Sequence, residues 1–238
     1  GALGPLLSIL LLAWFSNNYR LIFFLAFIPS LIGVLIILFL VKEVAVPLVK
    51  NSVPKFEWHK TNASFRAFLL ISFIFAVGNS SDAFLVLRAQ SLGLSVSLTI
   101  FTYVLFNVTN SIFSAPAGMI ADKIGYKRVM ASGFVLFALV YLGFGMINSS
   151  QYVWVLFPLY GIFMALTDGV GKAYISKLVP HEVSASAFGI YQTAMGVATL
   201  LASTLAGVLW SSFGPRMPFY FGAGMAIIAE IVFFLLSK

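Results

Sequence analysis

Long apolar runs separated by short polar segments dominate the hydrophobic pattern of this chain. A helix needs about 20 apolar residues, at a rise of about 1.5 Å each, to cross about 30 Å of hydrocarbon. Eight runs approach this length, and the first of them is short. They are 1–15, 21–41, 67–86, 96–120, 129–147, 153–174, 185–210 and 218–236. The pattern therefore predicts an all-α protein, a polytopic membrane helix bundle with about eight transmembrane helices.

One polar stretch is longer than the others and divides the chain into two unequal parts. Residues 43–64 combine polar side chains with two prolines, a composition typical of a linker between packed units. We expect residues 1–42 to hold two helices and residues 65–238 to hold six. Because the chain begins at Gly1 inside an apolar run, we also expect it to be a piece of a longer polypeptide.

The positions of Lys and Arg predict an orientation in the membrane. Cytoplasmic loops carry an excess of both residues. If the polar stretch 43–64 is cytoplasmic, eleven of the 14 basic residues lie on or near that side. Only Arg20, Arg88 and Arg216 then lie on the other side. Strict alternation through all eight spans produces this bias, so we expect the C-terminus to be cytoplasmic.

The amino-acid composition indicates that lipid surrounds most of the chain, and it excludes several classes of chemistry. Apolar residues make up 61% of the chain and charged residues only 9%, whereas about a quarter is usual in soluble domains. The chain has no cysteine, which excludes disulfides and thiol nucleophiles. The net charge of +7 does not indicate nucleic acid, because the basic residues stand singly between apolar runs. We expect a lipid bilayer as partner, and no nucleic acid, metal or cofactor.

A motif after the fourth apolar run indicates a family. Residues 118–128 read Gly-Met-Ile-Ala-Asp-Lys-Ile-Gly-Tyr-Lys-Arg. This resembles the signature loop of the major facilitator superfamily (MFS), in which the loop joins the second and third helices of each six-helix half on the cytoplasmic side. The alternative is a generic basic turn. Tyr126 stands where a basic residue is common, and the matching residues are Gly118, Asp122, Lys123, Gly125, Lys127 and Arg128.

The resemblance implies that the chain holds helices five to twelve of a twelve-helix transporter. Residues 1–42 would be the last two helices of the N-terminal half, and residues 65–238 the C-terminal half. Helices one to four of the same polypeptide would then be a missing partner. Transporters of this kind bind their substrate between the two halves near mid-membrane, so this chain would form one wall of the site.

The resemblance also implies a function. We expect a secondary active transporter that moves a small solute by alternating access in a bacterial inner (plasma) membrane, with proton-coupled drug efflux as the first hypothesis. The alternative is a non-transporting sensor or assembly protein with this fold. An enzyme is not expected, because no span carries a catalytic aspartate pair, a zinc-ligand pair or a nucleophile motif.

Asp82 is an acidic residue inside the first span after the linker. A charge at the bilayer centre costs about 2.5 to 3.5 kcal/mol, so each one needs a reason. Asn79 lies three residues earlier and therefore on the same helical face. We interpret Asp82 as a proton-titrating or cation-binding carboxylate that faces the central cavity. The alternatives are a structural hydrogen bond to a neighbouring helix and an ion pair with Arg88.

Four polar residues form a stripe in the next span. Tyr103, Asn107, Asn110 and Ser114 are spaced by four, three and four residues, which places them on one helical face. Hydrogen-bonding groups at membrane depth must face protein or water. The stripe is therefore a candidate cavity lining, and interhelical hydrogen bonding is the alternative.

Asp168 and Lys172 are one turn apart near the cytoplasmic end of their span, with the acid first, the favourable order for an ion pair. We expect a conformational latch between this pair and the signature-loop residues Asp122 and Lys123. The alternative is plain structural pairing.

The next two spans carry further candidate residues. Tyr191 and Gln192 are candidates for the cavity wall, with aromatic packing as the alternative. Gly189 and Gly196 are predicted to allow close helix approach. Glu230, in the last span, is expected to reach polar surroundings or a partner.

Overall fold

The computed structural model describes residues 18–40 and 62–236, together with residues 4, 7, 10, 11, 14 and 15. Every regular element among these residues is helical, which confirms the predicted all-α class. Short 3-10 turns at Ser150–Tyr152 and His181–Val183 directly precede the α-helices that begin at Val153 and Ser184. Numbered along the described residues, the α-helices are α1 Tyr19–Leu40, α2 Ala63–Gly78, α3 Ala83–Ser91, α4 Val96–Ile124, α5 Tyr126–Met146, α6 Val153–Leu178, α7 Ser184–Phe213 and α8 Met217–Leu236.

Six helical segments of the described chain are long and apolar enough to cross a membrane, where the sequence predicted about eight. The predicted span 1–15 and the linker 43–64 fall mainly outside the described residues. The predicted span 21–41 coincides with α1, whose apolar part, Phe24–Leu40, is shorter than a full span. The six segments are Ala63–Ser91, Val96–Ile124, Tyr126–Met146, Ser150–Leu178, His181–Phe213 and Met217–Leu236.

The first of these spans is broken at mid-length, which the sequence analysis did not predict. α2 ends at Gly78 and α3 begins at Ala83, so the four residues Asn-Ser-Ser-Asp at 79–82 form a non-helical break. Ser81 Oγ accepts a hydrogen bond of 3.3 Å from the backbone N–H of Ala83. Asn, Ser and Asp side chains compete with helical hydrogen bonds in this way. The predicted continuous helix 67–86 is therefore a discontinuous one.

Two close helix contacts depend on glycine. A Cβ at Gly161 would lie 2.6 Å from the carbonyl oxygen of Phe106, where α6 crosses α4. A Cβ at Gly222 would lie 2.5 Å from the carbonyl oxygen of Gly78, where α8 crosses α2. The predicted close packing at Gly189 and Gly196 is not observed among the described helices and stays a prediction. A Cβ at either of these glycines would meet no atom of the described chain within 4 Å.

The centre of the bundle is aromatic and its periphery is aliphatic. Phe137, Tyr141 and Tyr160 are almost completely buried, and the Phe137 and Tyr141 rings stack with centroids 3.9 Å apart. Leu139 and Val155, by contrast, are about three-fifths exposed. Buried rings inside and exposed aliphatic side chains outside are the arrangement of an integral membrane protein, whose periphery faces lipid tails.

Candidate functional site

Asp82 lies at the helix break and accepts hydrogen bonds from two other helices. The Tyr160 hydroxyl of α6 donates to Asp82 Oδ1 at 2.8 Å. The Tyr103 hydroxyl of α4 makes a longer contact of 3.5 Å with Asp82 Oδ2. Although Asp82 precedes α3 directly, its side chain does not cap that helix. Both carboxylate oxygens are therefore directed toward the tyrosines.

Asn79 lies at the other end of the break and shares a partner with Asp82. The Tyr160 hydroxyl is 3.4 Å from Asn79 Oδ1. A phenol has one proton to donate, and a charged acceptor makes the stronger bond. Tyr160 therefore donates to Asp82 and contacts Asn79 secondarily. Helical spacing predicted that Asn79 and Asp82 lie together, whereas the structure brings them together through the break and their shared partner Tyr160.

Arg88 does not pair with Asp82, so that alternative was wrong. The buried guanidinium donates from Nε to the Phe144 carbonyl at 3.0 Å and from Nη2 to the Ile147 carbonyl at 2.7 Å. These carbonyls are at the C-terminal end of α5, where a positive charge is favourable. Among the described residues, no basic side chain forms an ion pair with Asp82.

Two cavities border the break, one at each end. The first, here called the Asp82 cavity, has a volume of about 740 Å³; Asp82, Tyr103 and Gln90 line it together with apolar side chains. The second, here called the Asn79 cavity, has a volume of about 250 Å³. Its lining includes Asn79, Asp168, Lys172, Tyr191 and Gln192. Tyr160 is in the lining of neither cavity, but its hydroxyl contacts the residue of the break that lines each one, Asp82 for the first and Asn79 for the second.

The polar stripe of α4 forms most of its hydrogen bonds within its own helix. Asn107 Nδ2 donates to the Tyr103 carbonyl at 2.9 Å, and Ser114 Oγ donates to the Asn110 carbonyl at 2.6 Å. Asn107 and Asn110 are half-buried. Among the described hydrogen bonds of these four side chains, only that between Tyr103 and Asp82 leaves α4. The cavity-lining role of Asn107 and Asn110 stays a prediction.

The signature loop contains a tight turn between α4 and α5. Gly125 has φ of +100°, in the region that favours glycine. Asp122, at the end of α4, accepts a hydrogen bond from the Tyr126 hydroxyl. The Tyr126 ring stacks on Tyr174 of α6 with centroids 6.0 Å apart, and Lys177 Nζ lies 5.7 Å from its centroid. Tyr126, the residue that departs from the family pattern, therefore holds the loop against α6.

The remaining residues of the signature motif surround this turn. Lys127 and Arg128 line an open cavity of about 470 Å³ together with Tyr126 and Tyr174. Lys123 is exposed, and a Cβ at Gly118 would meet no atom of the described chain within 4 Å.

Asp168 and Lys172 form the predicted ion pair, with Lys172 Nζ 2.8 Å from Asp168 Oδ1. Both side chains are exposed. In the described residues neither of them bonds to Asp122 or Lys123, and both line the Asn79 cavity. The latch between the pair and the signature loop stays a prediction.

Tyr191 satisfies both of its interpretations, because it lines the Asn79 cavity and stacks on Phe68 with centroids 5.9 Å apart. Gln192 lines the same cavity. In the last helix, Glu230 Oε2 is buried without a hydrogen-bond partner among the described residues, so the expected polar surroundings are not observed there.

Three residues of the site were missed in the sequence analysis. They are Ser80, Tyr141 and Tyr160. Tyr160 contacts Asp82 and Asn79, and the buried Tyr141 hydroxyl lies beside Ser80 and Tyr160. The available signal was a tyrosine in the middle of each of two apolar spans, because a buried phenol usually requires a polar partner.

Comparison with known proteins places these features in a family. Residues 67–238 match the profile described as Major Facilitator Superfamily. The chain is 34% identical, over 97% of its length, to an uncharacterized MFS-type transporter of Methanocaldococcus jannaschii, of which it covers 59%. It is 26% identical, over 73% of its length, to multidrug resistance protein 2 of Bacillus subtilis, of which it covers 42%.

The chain thus spans about three-fifths or less of the length of these relatives. Both are described as transport or resistance proteins rather than as enzymes. The family profile covers the tight turn at Gly125 and all six membrane-crossing segments. Only the first four residues of the first segment lie outside it. From the profile match, the six spans and the signature loop together, the chain belongs to the major facilitator superfamily.

Proposed function

We propose that this chain is the C-terminal part of a secondary active transporter that moves a small solute by alternating access, with Asp82 as the carboxylate that couples transport to protons. In this proposal the chain supplies helices five to twelve, with residues 43–64 as the cytoplasmic linker between the two halves. Helices one to four of the same polypeptide supply the opposite wall of the solute site.

The observation that carries the proposal is a carboxylate at a helix break that forms no ion pair with any described basic residue. Ion sites of many transporters lie near the bilayer midplane where a spanning helix is interrupted. Asp82 occupies such an interruption, and the partners of its oxygens are two phenols. The N-terminal end of α3 adds a partial positive charge, but no basic side chain in the part of the chain that the structure describes pairs with the carboxylate. Binding a proton at Asp82 would therefore remove the energetic cost of an unpaired charge inside the membrane, and releasing the proton would restore that cost.

The lining of the Asp82 cavity favours a solute with an apolar body. Val86, Leu87 and Ile100 contribute aliphatic surface, while Gln90 and Tyr103 offer hydrogen bonds. Mostly apolar walls with few polar groups are typical of small-molecule sites. Together with the resistance protein among the relatives, this lining supports efflux of drug-like molecules across the plasma membrane.

The signature loop and the Asp168–Lys172 pair form the proposed cytoplasmic gate. The Tyr126 hydroxyl fixes Asp122, and the Tyr126 ring packs on Tyr174. The ion pair lines the neighbouring Asn79 cavity. Rearrangement of these contacts would open and close the solute pathway on the cytoplasmic side, where most of the basic residues and the C-terminus are expected to lie.

Proteoliposomes containing the full-length protein and a pH-sensitive dye test the proposal. The liposomes are exposed in turn to a panel of drug-like amines, sugars and organic acids, and the dye reports solute-triggered proton movement. We expect Asp82→Asn to abolish this movement while the protein stays folded, because the amide keeps the shape and cannot titrate. Glu182→Gln is the matched control, since Glu182 is an exposed acid in a 3-10 turn.

Proton movement that survives in Asp82→Asn at the wild-type rate would show that Asp82 is not the coupling group. If no solute triggers proton movement in the wild type, solute binding to the purified protein is measured next. Binding without movement would favour the sensor alternative over a proton-coupled transporter.

A further inference from the structure

Two buried hydroxyl groups beside the helix break, one from the break itself and one from α5, form no hydrogen bond of good geometry among the described residues. Ser80 is 5% exposed and Tyr141 is fully buried. Neither Ser80 Oγ nor the Tyr141 hydroxyl forms a hydrogen bond of good geometry, although the two residues are neighbours. Buried polar groups are almost always paired, so each exception requires an explanation such as a bound water or ion.

These hydroxyls adjoin the Asp82 carboxylate. The Tyr141 hydroxyl lies beside that of Tyr160, which contacts Asp82 Oδ1 at 2.8 Å and Asn79 Oδ1 at 3.4 Å. Side-chain oxygens of five residues on three separate spans therefore converge on the break. Four of these groups are neutral and one is an anion, and each has lone pairs available to a ligand.

We propose that this oxygen cluster binds a monovalent alkali cation. Its ligands would be side-chain oxygens of Asn79, Ser80, Asp82, Tyr141 and Tyr160. Hard cations prefer oxygen ligands, and one carboxylate balances a single positive charge. The described residues contain no group of three or more His, Cys, Asp and Glu side chains suited to a transition metal. A water molecule would pair the hydroxyls but would leave the carboxylate without a counter-charge in an apolar bundle.

This inference rests on the proposed role of Asp82 and extends it, because proton and cation would compete for the same carboxylate. The Asp82 cavity reaches the carboxylate directly and supplies an entry path. Occupation by the cation would hold Asp82 in its charged form, and protonation would release the cation. The coupling ion would thus be exchanged at the helix break.

Labelling with a hydrophobic carbodiimide tests the competition, because the reagent reacts with a protonated carboxyl group in an apolar environment. The purified full-length protein is labelled across a pH series in sodium chloride or in choline chloride at equal ionic strength. Mass spectrometry then quantifies the product at Asp82. We expect Na⁺ to reduce labelling about tenfold when its concentration is about ten times its dissociation constant.

Variants separate the cation site from the proton site. Tyr141→Phe and Ser80→Ala should lose protection by Na⁺ and keep the dependence of labelling on pH. Ser111→Ala is the control, because Ser111 is an exposed hydroxyl in α4 that donates to the Asn107 carbonyl. It should keep both responses.

Labelling that responds to pH equally in sodium and choline would overturn the cation site and leave the proposed proton coupling intact. Equilibrium binding of radioactive sodium to the detergent-purified protein gives an independent measurement. Saturable binding that is lost in Asp82→Asn supports the site, and the absence of saturable binding overturns it. Sodium binding without solute-triggered proton movement in proteoliposomes would reject the proton coupling alone.

Discussion

The Tyr160 hydroxyl donates a hydrogen bond of 2.8 Å to Asp82 Oδ1 and thereby joins α6 to the break between α2 and α3. Hydrogen bonds to an ionised carboxylate are about twice as strong as neutral ones. Tyr160 is almost completely buried, so this bond is shielded from water. Any movement of α6 relative to the break would change how well the charged form of Asp82 is stabilised.

Tyr160→Phe is therefore expected to impair transport while leaving the aromatic core packed. The change removes one hydrogen-bond donor to a charged group, a loss of about 1.5 to 3 kcal/mol. Since 1.36 kcal/mol corresponds to a factor of ten, proton-linked transport should fall about tenfold or more. Initial rates in proteoliposomes measure this. Tyr152→Phe, at an exposed tyrosine, should behave as the wild type, and equal rates in both variants would refute the role of Tyr160.

The sequence could predict Asp82 but not its partners. A single acid in an apolar span is conspicuous because of its cost in the membrane. Tyr160 and Tyr141 are ordinary residues in apolar runs, and their hydroxyls reach the break only because α5 and α6 pack around it. Such convergence depends on tertiary packing, which hydrophobic periodicity does not report.

The six spans after the linker were predictable from length and hydropathy, whereas the break within the first was not. Residues 79–82 are only four polar positions within a long apolar run, and averaging along the run conceals them. The contacts made by individual glycines could not be predicted from the sequence for a related reason. Gly222 packs against a backbone and Gly196 faces open space, and only the packing of the helices distinguishes the two.

Arg88 is expected to stabilise the fold rather than to take part in coupling. Arg88→Met would leave the Phe144 and Ile147 carbonyls without their donors and remove two hydrogen bonds from a charged group. At about 1.5 to 3 kcal/mol for each bond to a charged group, we expect the free energy of unfolding to fall by about 3 kcal/mol or more. Thermal unfolding of the purified protein in detergent would show this as a lower melting temperature.

Arg216→Met is the control for Arg88, because the exposed Arg216 side chain donates to the Asn148 side chain near the same end of the bundle. Exposed polar contacts contribute about 0 to 1 kcal/mol. A melting temperature that falls equally in both variants would contradict a specific role for the buried guanidinium.

Gly222→Ala should separate α8 from α2. The added Cβ would lie 2.5 Å from the Gly78 carbonyl oxygen and 2.6 Å from the Tyr141 ring, so one helix must move. Overpacking of this kind costs about 1 to 3 kcal/mol. Gly196→Ala, which places its Cβ in open space, should be neutral or stabilise by up to about 1 kcal/mol through helix propensity. If both variants melt at the wild-type temperature, the close approach is not a structural requirement.

The signature loop is expected to control the rate of the transport cycle rather than solute affinity. Asp122 lies in the last turn of α4, and its described partner is the Tyr126 hydroxyl. Asp122→Ala removes the acceptor and Tyr126→Phe removes the donor. Because the Tyr126 ring packs on Tyr174 and lies under Lys177, the phenylalanine variant keeps the ring contacts and isolates the hydrogen bond.

Turnover in proteoliposomes and equilibrium solute binding in detergent together test this role. Loss of one hydrogen bond to a carboxylate is worth about 1.5 to 3 kcal/mol, so we expect turnover to fall about tenfold or more in both variants. Solute affinity should stay within about twofold of the wild type, because neither side chain lines the Asp82 cavity. A parallel loss of affinity would place the loop in solute binding, and wild-type turnover in Asp122→Ala would remove it from the cytoplasmic gate.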